Sequence, residues 1–124
     1  MQYGPSGAGV WSTPTIDEKR GLLYVGTAEN ASTPAINGAS IIAMNLHDGN
    51  IAWVMQASPG EAYNTTCSFF SYAKPSYFKS DMNCPKAYKG RIGLDFAGGS
   101  PMLLQNKEGK DIIIAAQKTG WVFG

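Results

Sequence analysis

The stretch IIAMNLHDGNIAW, residues 41–53, constrains the fold more than any other part of the chain. Two apolar runs, ASIIAMNL (39–46) and NIAWVMQA (50–57), flank an Asp48-Gly49 pair. An Asp-Gly pair between two such runs is the sequence form of a tight β-hairpin, because glycine accepts the positive φ that the turn demands. Runs of the same kind recur at VWSTPTID (10–17), GLLYVGT (21–27) and SPMLLQN (100–106). After a KEGK turn come DIIIAAQ (111–117) and GWVFG (120–124). No segment carries the 3.6-residue period of an amphipathic helix. The order strand, strand, hairpin, long loop, strand, hairpin therefore predicts an all-β protein: a sandwich, a barrel or a propeller.

Within the hairpin, Ala43 is small enough to let sheet layers approach, and Trp53 is expected to pack flat between neighbouring sheets. IIIAAQKTGWVFG (112–124) begins a second hairpin of related shape. Repeats of this size point to propeller blades, each a four-stranded antiparallel sheet.

At 124 residues the chain is enough for one small domain. A formal net charge of +1 with 15% charged residues argues against a nucleic-acid or membrane-surface partner, which would favour clustered Lys and Arg. A 44% hydrophobic share excludes a disordered tail. No apolar run reaches the length of a membrane span. The N-terminus shows no secretory leader, and the chain stops with strand alternation still under way. It is expected to be an internal piece of a longer protein.

Residues 58–98 differ from the rest. They are polar and aromatic, carry Pro59, Pro75 and Pro85, and contain both cysteines, Cys67 and Cys84. A loop of this length in a compact domain is usually functional or disordered. One disulfide, Cys67–Cys84, is expected to close it, which favours an oxidising compartment; two free thiols are the alternative. His47 is expected to be exposed and non-catalytic. Asp17-Glu18-Lys19-Arg20 reads as a solvated turn.

The pattern A-x-N-L-x-x-G-x-x-x-W, here Ala43 to Trp53, resembles the tryptophan-docking blade motif of pyrroloquinoline-quinone (PQQ) propellers. GAGVWSTPTID, GLLYVGTAEN, CPKAYKGRIGLDFAGGSPML and AAQKTGWV resemble further stretches of the same family, in the same order. The likeness covers nearly the whole chain apart from an insertion around 68–83. It is strongest to polyvinyl-alcohol-dehydrogenase-like quinoproteins, which also carry a cysteine pair around a loop ending N-C-P. The resemblance implies two to three partial blades of a PQQ-type propeller, eight-bladed in the family.

It also implies a site. At the position of Trp11 the alcohol dehydrogenases of this family lay an indole flat beneath PQQ, a flat tricarboxylate quinone that such a face covers and shields from water. At the end of the next strand they place an asparagine that binds Ca²⁺. Here that position is Glu29, with Asn30 beside it, and either can offer the oxygen a hard cation takes. The family's general base is an aspartate in a W-D-F or W-D-Y stretch, for which Asp95 in LDFAGG is the match, with Leu94 where the family has tryptophan. Asn64 sits in a similar context, but an amide cannot act as a base. Before the QKTG turn the family has a basic residue on the quinone oxygens, and Lys118 fits.

The implied function is that of part of a PQQ-dependent alcohol dehydrogenase. It would oxidise an alcohol, secondary or polymeric alcohols included, with hydride passing to PQQ beside Ca²⁺ and electrons leaving to a cytochrome-type acceptor. No C-x-x-C-H is present, so any haem c would lie outside this chain. The expected location is periplasmic or secreted, and the chain alone is expected to be inactive. The alternative is a non-catalytic propeller of the same repeat type that serves as an assembly scaffold, with Trp11 and Trp53 both in the core.

Overall fold

The computed structural model describes residues 6–64, 94–96 and 98–124. Cys67 and Cys84, and with them the expected disulfide, lie outside the described residues. All regular structure among the described residues is β, as expected. Strands β1 (Thr15–Asp17), β2 (Leu22–Gly26), β3 (Ser40–Asn45) and β4 (Ile51–Gln56) form a four-stranded sheet in chain order, each pair antiparallel. Strands β5 (Met102–Gln105), β6 (Asp111–Ala116) and β7 (Val122–Phe123) form a three-stranded antiparallel sheet, also in chain order. A four-stranded antiparallel meander is the form of a propeller blade, and the second sheet is part of another. No helix among the described residues is long and apolar enough to cross a membrane.

The β3–β4 hairpin turns where Asp48-Gly49 was expected to turn it. Gly49 has φ 72°, its N–H meets the Asn45 carbonyl at 2.9 Å, and the Asp48 carboxylate accepts from the Asn50 N–H at 2.9 Å. Four consecutive residues of β3 are buried, Ser40, Ile41, Ile42 and Ala43. Successive strand residues point to opposite faces, so β3 is covered on both sides and is the centre of the sheet.

One face of the sheet turns toward the second. Register places Tyr24, Ala43 and Trp53 in one row across β2, β3 and β4. With only the methyl of Ala43 between them, the Tyr24 and Trp53 rings come to 5.8 Å, tilted by 37°. Trp53 therefore meets a ring of its own sheet on one side. Its outer side opens on an apolar groove of about 420 Å³ shared with Ile41, Met55, Ile113, Ala115 and Phe123. Ile41, Phe96 and Ala115 form the buried core between the sheets, and the Phe96 ring meets Phe123 edge-on at 5.5 Å. Gly26 is required here. A Cβ at that position would stand 2.8 Å from the Phe96 carbonyl oxygen, so only glycine lets the 95–96 backbone lie on β2.

Glu18, Lys19 and Arg20 form an exposed turn, as expected, but Asp17 departs from expectation. Asp17 is buried, and its carboxylate accepts from the Arg20 N–H (3.1 Å), the Arg20 guanidinium (2.8 Å) and the Tyr24 hydroxyl (3.0 Å). The other arm of Arg20 reaches Asp111 at the start of β6 (2.5 Å), which also holds Lys19 (3.1 Å). The Arg20 guanidinium holds the Asp17 and Asp111 carboxyls below their usual range. The exposed turn is thus also a charged clasp between the sheets, and Thr15 adds a hydroxyl bond to the Pro101 carbonyl. Arg20→Met should lower the thermal midpoint and make it less sensitive to salt, since salt screens a half-exposed guanidinium. Melts at low and high NaCl check this, and an unchanged midpoint in both would contradict it.

His47 is exposed, as expected.

Candidate functional site

Residues 27–30, just past β2, are a junction. The Ala28 N–H donates to the Gly9 carbonyl (2.8 Å) and the Ala28 carbonyl accepts from Ala39 (3.0 Å). The Phe96 N–H donates to the Thr27 carbonyl (3.1 Å), and the Tyr63 N–H to that of Asn30 (2.9 Å). Segments near 9, 39, 63 and 95, remote in sequence, thus converge on the four residues that include Glu29. The Thr27 hydroxyl fixes the loop further, donating to the Asn37 carbonyl (2.7 Å) and accepting from the Ser40 N–H (2.9 Å).

At this junction three of the sequence-predicted residues meet. Asp95 is 1% exposed and its Oδ2 accepts from Lys118 Nζ at 2.6 Å. The two residues are also joined through the backbone, where the Lys118 N–H donates to the Asp95 carbonyl at 3.1 Å. The Glu29 carboxyl faces that of Asp95, close enough for a hydrogen bond if one of the two is protonated. Burial, and then this bond to a second acid, push the Glu29 carboxyl above its ordinary value of 4.5. The bond to Asp95 raises the Lys118 ammonium, opposed by its own desolvation and helped by the charges of Asp95, Glu29 and Glu61. Lys118 is half-exposed, so its ammonium links the buried Asp95 and the half-buried Glu29 to the outside.

Trp11 stands apart from that cluster but beside the same junction. It lies before β1 rather than within it, since the strand begins only at Thr15. A Cβ on Gly9 would stand 2.7 Å from the indole nitrogen and 3.9 Å from the Ala28 methyl, which places the indole edge over the 9–28 pairing. The ring is 79% exposed.

Asn30 engages its amide nitrogen elsewhere, while its buried oxygen has no hydrogen-bond partner among the described residues. Its side chain is buried, its Nδ2 reaches the Ile36 carbonyl (3.4 Å), and its Oδ1 lies where a Cβ on residue 38 would stand. Its backbone bridges Ala8 and Ala62. Of the two oxygen donors proposed from sequence, Glu29 faces Asp95 and Lys118, and Asn30 holds loops together.

Two further residues touch this cluster. Glu61 Oε1 accepts from the Leu94 N–H at 3.0 Å, and Gln117 Nε2 donates to the Leu94 carbonyl at 2.6 Å. Glu61 carried no local sequence signal, because its partner is 33 residues away. Gln117 sits beside Lys118 in QKTG, where adjacency was the one clue.

The donor set fits the groups the resemblance implies. Two carboxyls held against each other suit a hard cation, whose charge would offset their repulsion. Among the described residues no group of three or more His, Cys, Asp or Glu is arranged to hold a metal, so Ca²⁺ here would need oxygens from beyond them. An ammonium with donors to spare and a bare indole face suit an anionic, flat ring.

Two curated relatives match 99% of the chain over 125 residues, one at 33% identity from a Pseudomonas species and one at 32% from Sphingopyxis sp. strain 113P3. No family model matches the chain. No solved structure matches it either. The likeness extends across the whole chain, and the relatives are alcohol dehydrogenases by name, as the motif order implied. More particularly, both relatives are polyvinylalcohol dehydrogenases, and the chain spans 17% of the length of each.

The Glu29 carboxyl gives a prediction in pH. A carboxyl raised on folding binds its proton more tightly in the native state. Its contribution to stability is therefore complete below 4.5 and is lost as pH rises through the folded value. Without added Ca²⁺, stability should fall with pH across that window, and Glu29→Gln should flatten the slope. Urea unfolding at a series of pH values from 4.5 upward measures it, and equal slopes for both proteins would contradict it.

Proposed function

We propose that this chain forms one wall of the active site of a PQQ-dependent alcohol dehydrogenase. The observation that carries the reading is the meeting of Glu29, Asp95 and Lys118 at one junction, from positions far apart in sequence. Kinship with polyvinylalcohol dehydrogenases supports it, and makes a secondary alcohol on a polymer the first substrate to try. Glu29 is the Ca²⁺ ligand, Lys118 and Trp11 hold the quinone, and Asp95 is the base. When bound, PQQ supplies the hydride acceptor and Ca²⁺ the Lewis acid.

The protein's own part is positioning and proton handling. The Asp95 carboxylate, fixed by the Lys118 ammonium, takes the proton of the substrate hydroxyl as the alcohol is oxidised. Lys118 offers its remaining N–H donors to negative charge developing beside it. Trp11 covers a ring face and excludes water from it. Electrons then pass to a cytochrome-type acceptor in the periplasm or outside the cell.

The test is to reconstitute the full-length protein with PQQ and Ca²⁺ and follow dye-linked oxidation of primary, secondary and polymeric alcohols. Turnover that requires both additions supports the reading. A folded, loaded protein inert toward all three classes would remove it and leave the scaffold alternative.

A further inference from the structure

Asp95 is held in part through long-range contacts to the residue before it. The peptide groups flanking Leu94 are gripped from two sides. Glu61 Oε1 accepts from the Leu94 N–H at 3.0 Å, and Gln117 Nε2 donates to the Leu94 carbonyl at 2.6 Å. One hydrogen bond on each side leaves the 94–95 backbone little freedom to shift or rotate.

The Gln117 amide can face only one way. Its Oε1 accepts from the Thr119 hydroxyl at 2.9 Å, and its Nε2 also meets Ser58 Oγ at 3.0 Å. A backbone carbonyl only accepts, so the nitrogen must face Leu94. The side chain is 6% exposed, and the Gln117 N–H is tied to the Trp121 carbonyl at 2.9 Å. On the other side, the chain next to Glu61 is anchored where Ala62 bridges Asn30 and the Tyr63 N–H meets the Asn30 carbonyl. Both jaws of the clamp are therefore themselves fixed, one to the second sheet and one to the junction that carries Glu29.

We propose that Glu61 and Gln117 are positioning residues that grip Leu94 and so set where the Asp95 carboxylate stands relative to Glu29 and Lys118. This rests on the assignment of Asp95 as the base. Glu61 also acts at a distance on Lys118, whose ammonium its charge helps to retain. A base displaced by a fraction of an ångström loses rate without losing substrate affinity, so the clamp acts on turnover.

The experiment compares Glu61→Ala, Glu61→Gln, Gln117→Met and Asp95→Asn in the full-length protein with PQQ and Ca²⁺. Two readouts are taken: kcat and KM for a secondary alcohol, and amide hydrogen exchange at Leu94 and along β3. Glu61→Ala should raise Leu94 exchange about tenfold or more while β3 amides are unchanged. It and Gln117→Met should lower kcat at least tenfold with KM within about twofold. Glu61→Gln keeps an acceptor oxygen and should restore both Leu94 protection and most of kcat. If Gln117→Met does not fold, the Glu61 pair decides. Wild-type exchange and kcat in Glu61→Ala, with Asp95→Asn inactive, would overturn the clamp and leave the base assignment standing. Wild-type kcat in Asp95→Asn would overturn the base assignment, and the positioning role with it.

Discussion

Asp95→Asn in the full-length protein, loaded with PQQ and Ca²⁺, should lower kcat by about 10²- to 10⁴-fold, the range a lost general base commands. The substitution is nearly isosteric and keeps an oxygen for Lys118 Nζ, now 2.6 Å from Oδ2. The backbone bond from Lys118 to the Asp95 carbonyl is untouched. The fold should therefore survive, and KM should move little, because the amide still fills the same space. Steady-state kinetics with thermal melts on the same samples separate the two effects. A variant that turns over at the wild-type rate would assign Asp95 a structural role, as the buried partner of a half-exposed lysine.

Phe96→Ala should be the most destabilising single change. Phe96 is fully buried at the centre of the core shared by the two sheets, against Ile41 and Ala115, with Phe123 edge-on. Truncating such a ring costs about 3–5 kcal/mol, the loss of transfer energy plus the cavity left behind. The effect reaches the site directly, because Asp95 precedes this residue and the Phe96 N–H ties the segment to Thr27. Loss of stability and loss of kcat should therefore come together, whereas Asp95→Asn should lose kcat alone. Urea unfolding with activity measured below the transition checks the contrast. A shift in stability under about 1 kcal/mol would contradict the packing described.

Short apolar runs and turn glycines are read easily because their causes are local. The Asp48-Gly49 turn, the pairing of β3 with β4 and the KEGK turn before β6 all depend on residues within a few positions of one another. The sequence misleads where partners are distant. Asp17 looks solvated until Arg20 reaches Asp111, 91 residues on, and closes it between the sheets. Trp53 faces the groove between the sheets, and its further contact with Tyr24 is visible only once the register across β3 is known.

The same division runs through the site. Glu29, Asp95 and Lys118 were singled out by resemblance to a family motif, and the fold draws them together. Composition or periodicity alone gives none of the three. Trp11 flanks the same junction with its face uncovered. By sequence Glu29 holds the family's ligand position and Asn30 is a neighbour that also offers an oxygen, and the two differ in what they touch: Asp95 for one, the Ile36–Gly38 loop for the other. Glu61 and Gln117 could not be named beforehand, since each becomes meaningful only through its contact with Leu94.

A crystal structure of the full-length protein with PQQ and Ca²⁺ would put this arrangement to the most direct test. The proposed arrangement predicts a Glu29 oxygen about 2.3–2.6 Å from the cation. It also predicts the Trp11 face about 3.5–4.0 Å from the quinone, with Lys118 and Asp95 at the quinone's edge. A quinone seated elsewhere, with Trp11 still facing solvent and Glu29 hydrogen-bonded to Asp95, would contradict it.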